Sequence, residues 1–431
     1  MITWRLKQGA DRRIRSGHPW VFSNELSESP KGHTPGAPVI LQDNKGNFVA
    51  GGYGNPNSLI SFRATTFDSL NKAPTAPDFL QQKVIKSWHQ RRSLGYTASF
   101  RLCYGEGDFL PGLVVDRYLI EQNGKRAQVF AAQILTAGLS VALTDLEGFF
   151  KGLVQQAQSQ GLSEFNWEQS IVVIRNDVGV RKLEGLEYQA SRVLKVVEGF
   201  DLRNVDILLH SPLNFLMLIP MAVDLVEGQK TGFFLDQAYN IQILCLNILR
   251  RSWQGPVRVL DLCTYVGQWS TMIAHTLKSA GIECETTLVD VSKEALAFAK
   301  HNAERQGAKA QTQMLDVVQD LAGLQDRAYD IVIADPPAFI KAKKDIPTGK
   351  HAYLKLNTQA FRVTKSGGLV ASCSCSGLFD EIEMIDVVRK SIQRDGREAR
   401  CIAHGGHAPD HPVLMAFGEG FYLKMFLHTV S

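Results

Sequence analysis

Residues 257–267 read VRVLDLCTYVG, in which a short run rich in apolar residues leads into an acidic residue and then a glycine. This pattern predicts a buried strand followed by a tight turn, because Gly267 lets the backbone bend sharply and approach a ligand closely. The rhythm continues, with strands predicted at 287–289, 329–334 and 368–372 and helices at 268–280, 293–306 and 353–364. Such alternation is typical of βαβ units, so the sequence predicts an α/β fold with a doubly wound parallel sheet.

Acidic residues lie at the carboxyl ends of these predicted strands. Asp261 and Asp290 belong to the first and second strands. Asp316 follows the two apolar residues at 314–315, and Asp335 ends the fourth strand. Ligands of doubly wound sheets bind outside these strand ends, and a carboxylate such as Asp290 can accept hydrogen bonds from two ribose hydroxyls. We interpret the acids as a nucleoside-binding set, the alternative being that each one caps a strand at the surface.

The turn after the first strand argues against a dinucleotide cofactor. A dinucleotide requires a Gly-x-Gly-x-x-Gly turn, because its pyrophosphate needs backbone amides at close range. Here only Gly267 is present, and the bulky Gln268 and Trp269 follow it. S-adenosylmethionine, a nucleoside ligand without a pyrophosphate, fits better and is the predicted cofactor. The candidate cofactor residues from this reasoning are Asp261, Tyr265, Gly267, Asp290, Asp316 and Asp335.

Two turns at the same edge carry residues suited to chemistry on a base. Asp335 opens the segment DPPAF at 335–339, in which two prolines hold the chain extended. Its carboxylate can bond the N3 and amine edge of cytosine, and Phe339 can stack on the ring. Cys373 and Cys375 follow the last predicted strand, and a thiolate attacks electron-poor carbons such as C6 of a pyrimidine. The residues alone leave open that both cysteines are small buried apolar side chains.

The composition indicates a globular protein of a reducing compartment. Of 431 residues, 45% are hydrophobic and 21% are charged, which provides a core and argues against a disordered or coiled-coil chain. The seven cysteines are too few and too irregularly spaced for a secreted disulfide framework. The first residues run straight into charge and do not resemble a signal peptide. The most apolar window, 207–223, is shorter than a membrane span of about 20 residues, so we predict a buried hairpin there and a soluble, cytoplasmic protein.

The sequence before residue 196 is organised differently. Short apolar runs at 38–41, 48–50 and 59–62 are separated by turn-forming residues, which predicts a small β-barrel or sheet. The segment APTAP at 73–77 is typical of a linker. The elements predicted beyond it are helices at 78–94 and 144–160 and strands at 113–115, 127–134 and 171–174. Together they indicate a small α+β region.

The net charge of +4 hides an uneven distribution of cations. Basic residues are concentrated at 1–20, at 81–101 and at 341–355. Clustered lysines and arginines neutralise phosphates and release counterions, so we interpret these runs as RNA-binding surface, the alternative being three solvated faces. The candidate RNA-binding residues are Arg5, Lys7, Arg12, Arg13, Arg15, Lys341, Lys343 and Lys344.

His404, His407 and His411 have the spacing of a metal site. They lie in a loop that contains glycine and proline, and only Cys401 and Asp410 accompany them. We therefore predict that the protein holds no metal.

Seven motifs are spread over nearly the whole chain. They are GHPWVF at 17–22, GGYGNP at 51–56, DFLPGLVVDRY at 108–118, GQKTGFFLDQ at 228–237, DPPAF at 335–339, CSCSG at 373–377 and DHPV at 410–413. Through them the chain resembles the RlmI family of bacterial 23S rRNA cytosine-C5 methyltransferases. The resemblance implies an N-terminal RNA-binding PUA barrel, a small α+β middle domain and a Rossmann-like class I methyltransferase sheet. The corresponding domains are expected at 1–72, 73–195 and 196–431.

The resemblance also implies residue roles. The family nucleophile falls on Cys375, which makes Cys375 and Asp335 the predicted catalytic pair. Phe234 and Gln237 belong to a segment that borders the cofactor in the family, and they join the candidate cofactor residues.

Two positions depart from the pattern of related enzymes. Cys373 stands where the family carries an apolar or aromatic residue. Ala338 stands where many RNA cytosine-C5 enzymes outside this group carry a second cysteine that assists release. Release must therefore use another group in this chain.

The leading hypothesis is an S-adenosylmethionine-dependent methyltransferase that forms 5-methylcytosine in 23S rRNA through a covalent bond between Cys375 and C6 of the base. One alternative is methyl transfer to an exocyclic base amine of RNA, which needs no cysteine. The other is a non-catalytic RNA-binding assembly factor. The sequence leaves open whether the protein forms a homodimer.

Overall fold

The computed structural model of the chain describes residues 2–71, 73–319 and 323–431. By their internal contacts these residues form two units. The first unit runs to Leu208 and adds Val223–Leu235 and Pro409–Gly420, and the second comprises Leu209–Ala222, Asp236–Ala408 and Phe421–Ser431. Each unit therefore contains segments that are distant in sequence. The domain boundary expected at residue 72 lies outside the described residues, and the division into three domains stays a prediction.

The first unit begins with a small β-sheet. Its elements are β1 (Ile2–Arg5), α1 (Asp11–Arg15), β2 (Trp20–Phe22), β3 (Pro38–Gln42), β4 (Phe48–Gly54) and β5 (Ile60–Thr66). The strand order is β1-β3-β4-β5-β2, with β1 parallel to β3 and the other pairs antiparallel. Because side chains alternate across a strand, Val39 and Leu41 of β3 enter a core with Leu6, Phe62 and Ala64. The small sheet predicted from the apolar runs is confirmed.

The rest of the first unit is a mixed sheet with helices. Its elements are α2 (Pro77–Ser93), β6 (Phe100–Tyr104), β7 (Leu113–Gln122), β8 (Lys125–Ile134), α3 (Ala137–Ala142), α4 (Leu146–Ser159), β9 (Ser170–Ile174), β10 (Arg192–Lys195) and β11 (Val205–His210). The order is β10-β9-β8-β7-β11, and β6 also pairs with β7. Helices α2 and α4 bury Val84, Trp88, Phe150 and Leu153 in one core with Phe130 of β8. The predicted α+β region is confirmed.

Two later segments complete the first unit. The backbone carbonyl of Asp410 accepts a hydrogen bond from Arg91 at 2.9 Å, and its carboxylate accepts one from the backbone N–H of Arg101 at 2.8 Å. The hydroxyl of Thr231 lies 3.1 Å from that of Tyr118 on β7. The first unit therefore depends on residues that come after much of the second unit in sequence.

The second unit is built on the predicted α/β sheet. From residue 218 onward the elements are β12 (Leu218–Val223), α5 (Ala238–Leu249), β13 (Val257–Leu262), α6 (Gln268–Ser279), β14 (Cys284–Asp290), α7 (Lys293–Arg305), β15 (Ala308–Met314), β16 (Tyr329–Ala334), α8 (Ile346–Val363), β17 (Thr364–Ser374), α9 (Glu381–Asp395), β18 (Ala399–Gly405) and β19 (Lys424–Val430). The order is β15-β14-β13-β16-β17-β19-β18, parallel from β15 to β17 and antiparallel at β19 and β18. The order reverses between β13 and β16, where open sheets of this type bind their ligands.

Two elements differ from the prediction. Helix α8 begins at Ile346, seven residues before the expected start at 353, because Pro347 occupies its first turn, where a missing N–H costs nothing. Strand β15 carries the polar sequence AKAQTQM, which gave no apolar signal. It lies at one end of the sheet, where one face and one edge meet solvent.

The buried hairpin predicted at 207–223 is correct for its strands and wrong for its turn. Most residues of β11 and β12 are buried, but Leu216 in the connection is 91% exposed. The backbone N–H of Ser211 donates to the carbonyl of Met217 at 2.8 Å and closes this turn. Among the described residues, no helix is both long and apolar enough to cross a membrane.

Candidate active site

The four acidic residues predicted to line the cofactor lie along one edge of the second unit's sheet. Asp261 and Asp290 stand at the carboxyl ends of the neighbouring strands β13 and β14, Asp316 follows β15, and Asp335 follows β16. Burial, and then the charges of all four carboxylates, raise the pKa of the Cys263 thiol well above its ordinary value. The structure thus brings these four acids together, although their roles stay predictions.

The loop between β13 and α6 has an unusual backbone. Cys263 and Tyr265 adopt left-handed φ angles of 62° and 49°, which cost energy for residues with a Cβ and cluster at functional sites. Gly267 has a φ of 82°, and a Cβ there would lie 2.9 Å from the Cα of Ala299 in α7. Because only glycine fits, α6 can begin directly against α7.

Asp290 anchors this loop from the neighbouring strand. One of its oxygens accepts a hydrogen bond from the backbone N–H of Tyr265 at 2.9 Å, and the other accepts one from Ser292 at 3.0 Å. The side chain is partly exposed. A carboxylate has about four acceptor positions, so Asp290 retains capacity for ligand hydroxyls.

Replacement of Asp290 by asparagine is expected to weaken S-adenosylmethionine binding by about 10- to 100-fold, the effect of losing a hydrogen bond to a charged group. Calorimetric titration of the full chain measures this change. Glu285→Gln, on the same strand but exposed to solvent, serves as the control and should bind like the wild type. Equal affinities for Asp290→Asn and the control would contradict the role predicted for Asp290.

Asp261 lies beneath the loop rather than at its surface. It is fully buried, and its Oδ2 accepts hydrogen bonds from the hydroxyls of Thr264 at 2.8 Å and Ser270 at 2.7 Å. Burial raises its pKa to about 6. The described contacts of Asp261 hold the loop in shape, in contrast to the partly exposed Asp290, Asp316 and Asp335.

Asp335 is held by two neighbouring side chains. Its two oxygens each lie 2.9 Å from Nε2 of Gln237, and Oδ2 also accepts a hydrogen bond from Nε1 of Trp269 at 2.9 Å. Asn240 donates to the amide oxygen of Gln237 at 2.6 Å and fixes its orientation. The sequence singled out Gln237 but treated Trp269 only as a bulky residue, although its place in the first turn of α6 was an available signal.

Cys375 lies beside the turn that begins with Asp335. Its Sγ is 3.8 Å from the carbonyl oxygen of Pro336, and the thiol is partly exposed. Cys373, two residues earlier, is completely buried, and burial raises its pKa well above the ordinary value. Of the two cysteines considered from the sequence, only Cys375 has an accessible thiol.

A network of hydroxyl groups supports the turns on both sides of Cys375. The hydroxyl of Tyr353 lies 2.9 Å from those of Ser374 and Ser376, and Ser376 Oγ accepts from the backbone N–H of Ile340 at 3.1 Å. Burial raises the pKa of Tyr353 to about 12, so its hydroxyl keeps its proton at neutral pH. Sequence reasoning missed Tyr353, because it lies on α8, 20 residues before the cysteine motif begins, and no local pattern marks it.

Two aromatic residues named from the sequence have other partners. The ring of Phe339 packs against Tyr353 with centroids 4.8 Å apart. Phe234 belongs to the first unit, where the ammonium of Lys230 lies 4.2 Å from its ring centroid. The predicted roles of Phe339 on a base and Phe234 on the cofactor stay predictions.

The eight candidate RNA-binding cations differ in their availability. Arg13 forms an ion pair with Glu25, and Arg15 bonds Asp11 and Asp43. Lys7 donates to the carbonyl of Asn24 but is exposed. The remaining five are exposed without an ion pair in the part of the chain that the structure describes, namely Arg5, Arg12, Lys341, Lys343 and Lys344.

The prediction that the basic run at 81–101 forms an RNA-binding surface is wrong for two of its arginines. Arg91 is completely buried and forms a two-point ion pair with Asp108. Arg101 is also buried and pairs with Asp116 in the same way. The cause is that a linear run does not reveal which cations meet carboxylates from other strands.

The three histidines of the suspected metal spacing make unrelated contacts. His404 stacks on Phe426 and lies 3.7 Å from Glu381, while His407 accepts a hydrogen bond from the backbone of Leu423. His411 is buried beside Asp410 at 2.8 Å.

A doubly wound sheet with acids along its carboxyl edge and a strained loop after its first strand defines a class I methyltransferase. Consistent with this class, a family model described as a methyltransferase domain matches residues 255–407, and one described as a PUA-like domain matches residues 5–67. The chain belongs to the family named ribosomal RNA large subunit methyltransferase I. It is 32% identical to the member from Photobacterium profundum, with 98% of this chain and 97% of the relative covered. It is 30% identical to the member from Aeromonas salmonicida, with 97% of each covered.

Two solved structures share the fold along nearly the whole chain. One is a SAM-dependent methyltransferase from Streptococcus mutans, with 18% identity, a TM-score of 0.73, and 99% of this chain and 100% of that chain covered. The other is SMU.776, a methyltransferase complexed with SAH, with 19% identity, a TM-score of 0.74 and the same coverage. At these identities the likeness concerns the fold.

Proposed function

We propose that this chain is an S-adenosylmethionine-dependent methyltransferase that forms 5-methylcytosine in 23S rRNA. The observation that carries the proposal is the partly exposed thiol of Cys375 beside the turn of Asp335 and Pro336. A thiol next to a carboxylate-bearing turn is suited to a covalent bond with a pyrimidine. The names of the relatives, which specify large-subunit ribosomal RNA, support RNA of the ribosome as the substrate.

The donor set at the sheet edge fits the cofactor. Three partly exposed carboxylates, Asp290, Asp316 and Asp335, suit a ligand that combines ribose hydroxyls with positive charge. When bound, S-adenosylmethionine supplies the electrophilic methyl group on its sulfonium, which C5 of the activated base takes. The proposed cofactor residues are Phe234, Gln237, Asp261, Tyr265, Gly267, Asp290, Asp316 and Asp335.

The proposed reaction gives Cys375 and Asp335 distinct tasks. The Cys375 thiolate forms a bond to C6 of the cytosine, and the electron pair of the C5–C6 double bond makes C5 nucleophilic. As the adduct forms, N3 takes up a proton from solvent water, and Asp335 accepts hydrogen bonds from the protonated N3 and the amine; N3 returns this proton to water when the cysteine leaves. After methyl transfer, a base takes the proton from C5, the C5–C6 double bond re-forms, and the C6–Sγ bond breaks with its electron pair returning to sulfur.

The proposed RNA surface lies on two parts of the chain. Arg5, Lys7 and Arg12 are exposed within or beside the residues that match the PUA-like domain, and this supports a role for residues 1–72 as an RNA-binding domain. The group Lys341, Lys343 and Lys344 follows the Asp335 turn and supports phosphate contacts at the rim of the site. Middle and methyltransferase domains at 73–195 and 196–431, and a cytoplasmic location, belong to the same proposal. The homodimer stays a prediction.

Covalent trapping tests this function. RNA that contains 5-fluorocytidine cannot lose a proton from C5, so the wild-type chain should form a stable covalent adduct with it. Cys375→Ala should form none, and the matched control Cys373→Ala should form the adduct at the wild-type level. Electrophoresis under denaturing conditions and mass spectrometry of the labelled peptide provide the measurement.

Two other results would overturn the proposal in different ways. If Cys375→Ala still transfers methyl groups at the wild-type rate, the acceptor is an exocyclic amine rather than C5. If the wild-type chain neither binds S-adenosylmethionine nor transfers methyl groups, the chain is an RNA-binding assembly factor.

A further inference from the structure

Lys424 is a buried lysine next to the proposed nucleophile. It is the first residue of β19 and lies directly opposite Ser374, the last residue of β17, in the antiparallel ladder. Only 6% of its surface is exposed. Lysine is almost never buried without a partner, because removing an ammonium from water is costly. The burial of Lys424 directly opposite the cysteine motif therefore requires an explanation.

The ammonium of Lys424 binds two backbone carbonyls, one just after β17 and one just before β19. Its Nζ donates to the carbonyl of Ser376 at 3.0 Å and to the carbonyl of Tyr422 at 2.9 Å. Ser376 is the residue that follows Cys375, so this contact fixes the turn that carries the thiol. Within the described residues, no carboxylate forms an ion pair with Lys424, and these two carbonyls are neutral partners.

Negative charges near Lys424 partly compensate its positive charge. Burial lowers the pKa of Lys424, and the negative charge of an ionised Cys375 is the largest of the influences that oppose this net decrease. Weaker contributions in the same direction come from the first residues of α9 and the residue before it, namely Asp380, Glu381 and Glu383. The interaction is reciprocal, so a protonated Lys424 favours the thiolate of Cys375 over the thiol.

Two other described groups that interact with Cys375 carry no positive charge. Tyr353 on α8 and Cys373 on β17 both interact with Cys375, but burial raises the pKa of each and keeps both neutral. Asp335, on the neighbouring turn, carries negative charge and opposes ionisation of the cysteines beside it. The ammonium of Lys424 is a cation that can offset this carboxylate.

We propose that Lys424 is a positioning residue that holds Cys375 as the thiolate, both before it attacks the base and as it leaves. The proposal rests on the function proposed above, in which Cys375 is the nucleophile. A thiol whose anion is stabilised is also a better leaving group. When the C6–Sγ bond breaks, the electron pair returns to sulfur beside the ammonium. Lys424 therefore favours the release step in a chain that has Ala338 in place of a second cysteine.

Alkylation of the full chain measures the ionisation of Cys375 directly. Iodoacetamide reacts with the thiolate, forming a sulfur–carbon bond as the carbon–iodine bond breaks and iodide leaves. The rate is followed from pH 5.5 to 9.5, and peptide mass spectrometry separates Cys375 from Cys401, the exposed cysteine. In the wild type, the midpoint of this profile is expected below about 8.5, the value for a free cysteine.

Substitutions separate the charge from the structural contacts of Lys424. In Lys424→Met the midpoint is expected to rise by about 1–3 pH units, whereas Lys424→Arg, which keeps the charge, should stay near the wild type. Lys365→Met is the matched control, because Lys365 lies near the far end of β17 and pairs with Asp330. If Lys424 has a structural role alone, the midpoint should be unchanged in Lys424→Met. That result would overturn the proposal. A wild-type midpoint at or above about 8.5 would do the same without any variant, even if Lys424→Met fails to fold.

Trapping with 5-fluorocytidine distinguishes this proposal from the function on which it rests. Lys424→Met should still form the covalent adduct, but at a rate at least about tenfold lower at pH 7, because a smaller fraction of Cys375 is ionised. Raising the pH to 9.5 should narrow this difference, because a larger fraction of Cys375 ionises in the variant. If the wild type forms no adduct, the proposed function fails, whereas the alkylation profile still reports whether Lys424 ionises Cys375.

Discussion

Replacing Asp335 by asparagine is expected to lower the rate of methyl transfer by about 10²- to 10⁴-fold, the range typical of a lost acid–base or charge-stabilising group. The carboxylate accepts hydrogen bonds from Gln237 and Trp269 and, in the proposed reaction, also bonds the base. An asparagine has only one acceptor oxygen, so its amide nitrogen would face a donor. The variant thus loses the charge and disturbs the contacts that orient the side chain.

Single-turnover measurements at saturating S-adenosylmethionine give this rate. Asp330→Asn is the matched control, because Asp330 lies near the start of β16, at the end opposite to Asp335, and pairs with Lys365. The control should retain the wild-type rate. A loss of less than about threefold in Asp335→Asn would show that the carboxylate does not act on the base.

The second large effect concerns stability. Asp108→Asn is expected to destabilise the first unit by about 3–5 kcal/mol, because it leaves a buried guanidinium without its counter-charge. Arg91 has no exposed surface and bonds both oxygens of Asp108, at 2.6 and 2.7 Å. Its other described partners are the carbonyls of Arg101 and Asp410 and the side-chain amide oxygen of Gln90, which carry no charge to neutralise it.

Hydrogen exchange of the amides in α2 and β6 measures this local free energy of unfolding. Glu121→Gln is the control, since Glu121 pairs with Arg126 at the surface and should contribute about 1 kcal/mol or less. The double variant Arg91→Met with Asp108→Leu removes both charges and should be more stable than Asp108→Asn. A change below about 1 kcal/mol in Asp108→Asn would contradict the buried-charge argument.

The edge of the second unit's sheet was predictable because parallel strands end on the same side. Asp290 and Asp335 could be assigned to one edge from the alternation of strands and helices alone. The contacts that hold Asp335 could not, because Trp269 reaches it from α6 and Gln237 from the position just before α5. The cysteine motif pointed to Cys375 through a family resemblance, and the burial of Cys373 was visible only in the folded chain.

The availability of charged side chains was the property least predictable from the sequence. Arg91 and Arg101 looked like members of a basic surface, but each meets a carboxylate buried in the same unit. Lys424 carried no signal at all, because β19 reaches β17 from about 50 residues further along the chain. A linear sequence shows how many charges a segment has, whereas their availability depends on long-range packing.

The late segment that binds Arg91 and Arg101 has a consequence for the order of folding during synthesis. The first unit runs to Leu208 but is completed only by Pro409–Gly420. At a translation rate of about 5–20 residues per second, the guanidinium of Arg91 waits roughly 15–65 s for the carbonyl of Asp410, which lies 319 residues further along the chain. Nascent chains of this protein should therefore keep the residues up to Leu208 in a protease-sensitive state until Pro409–Gly420 has been translated.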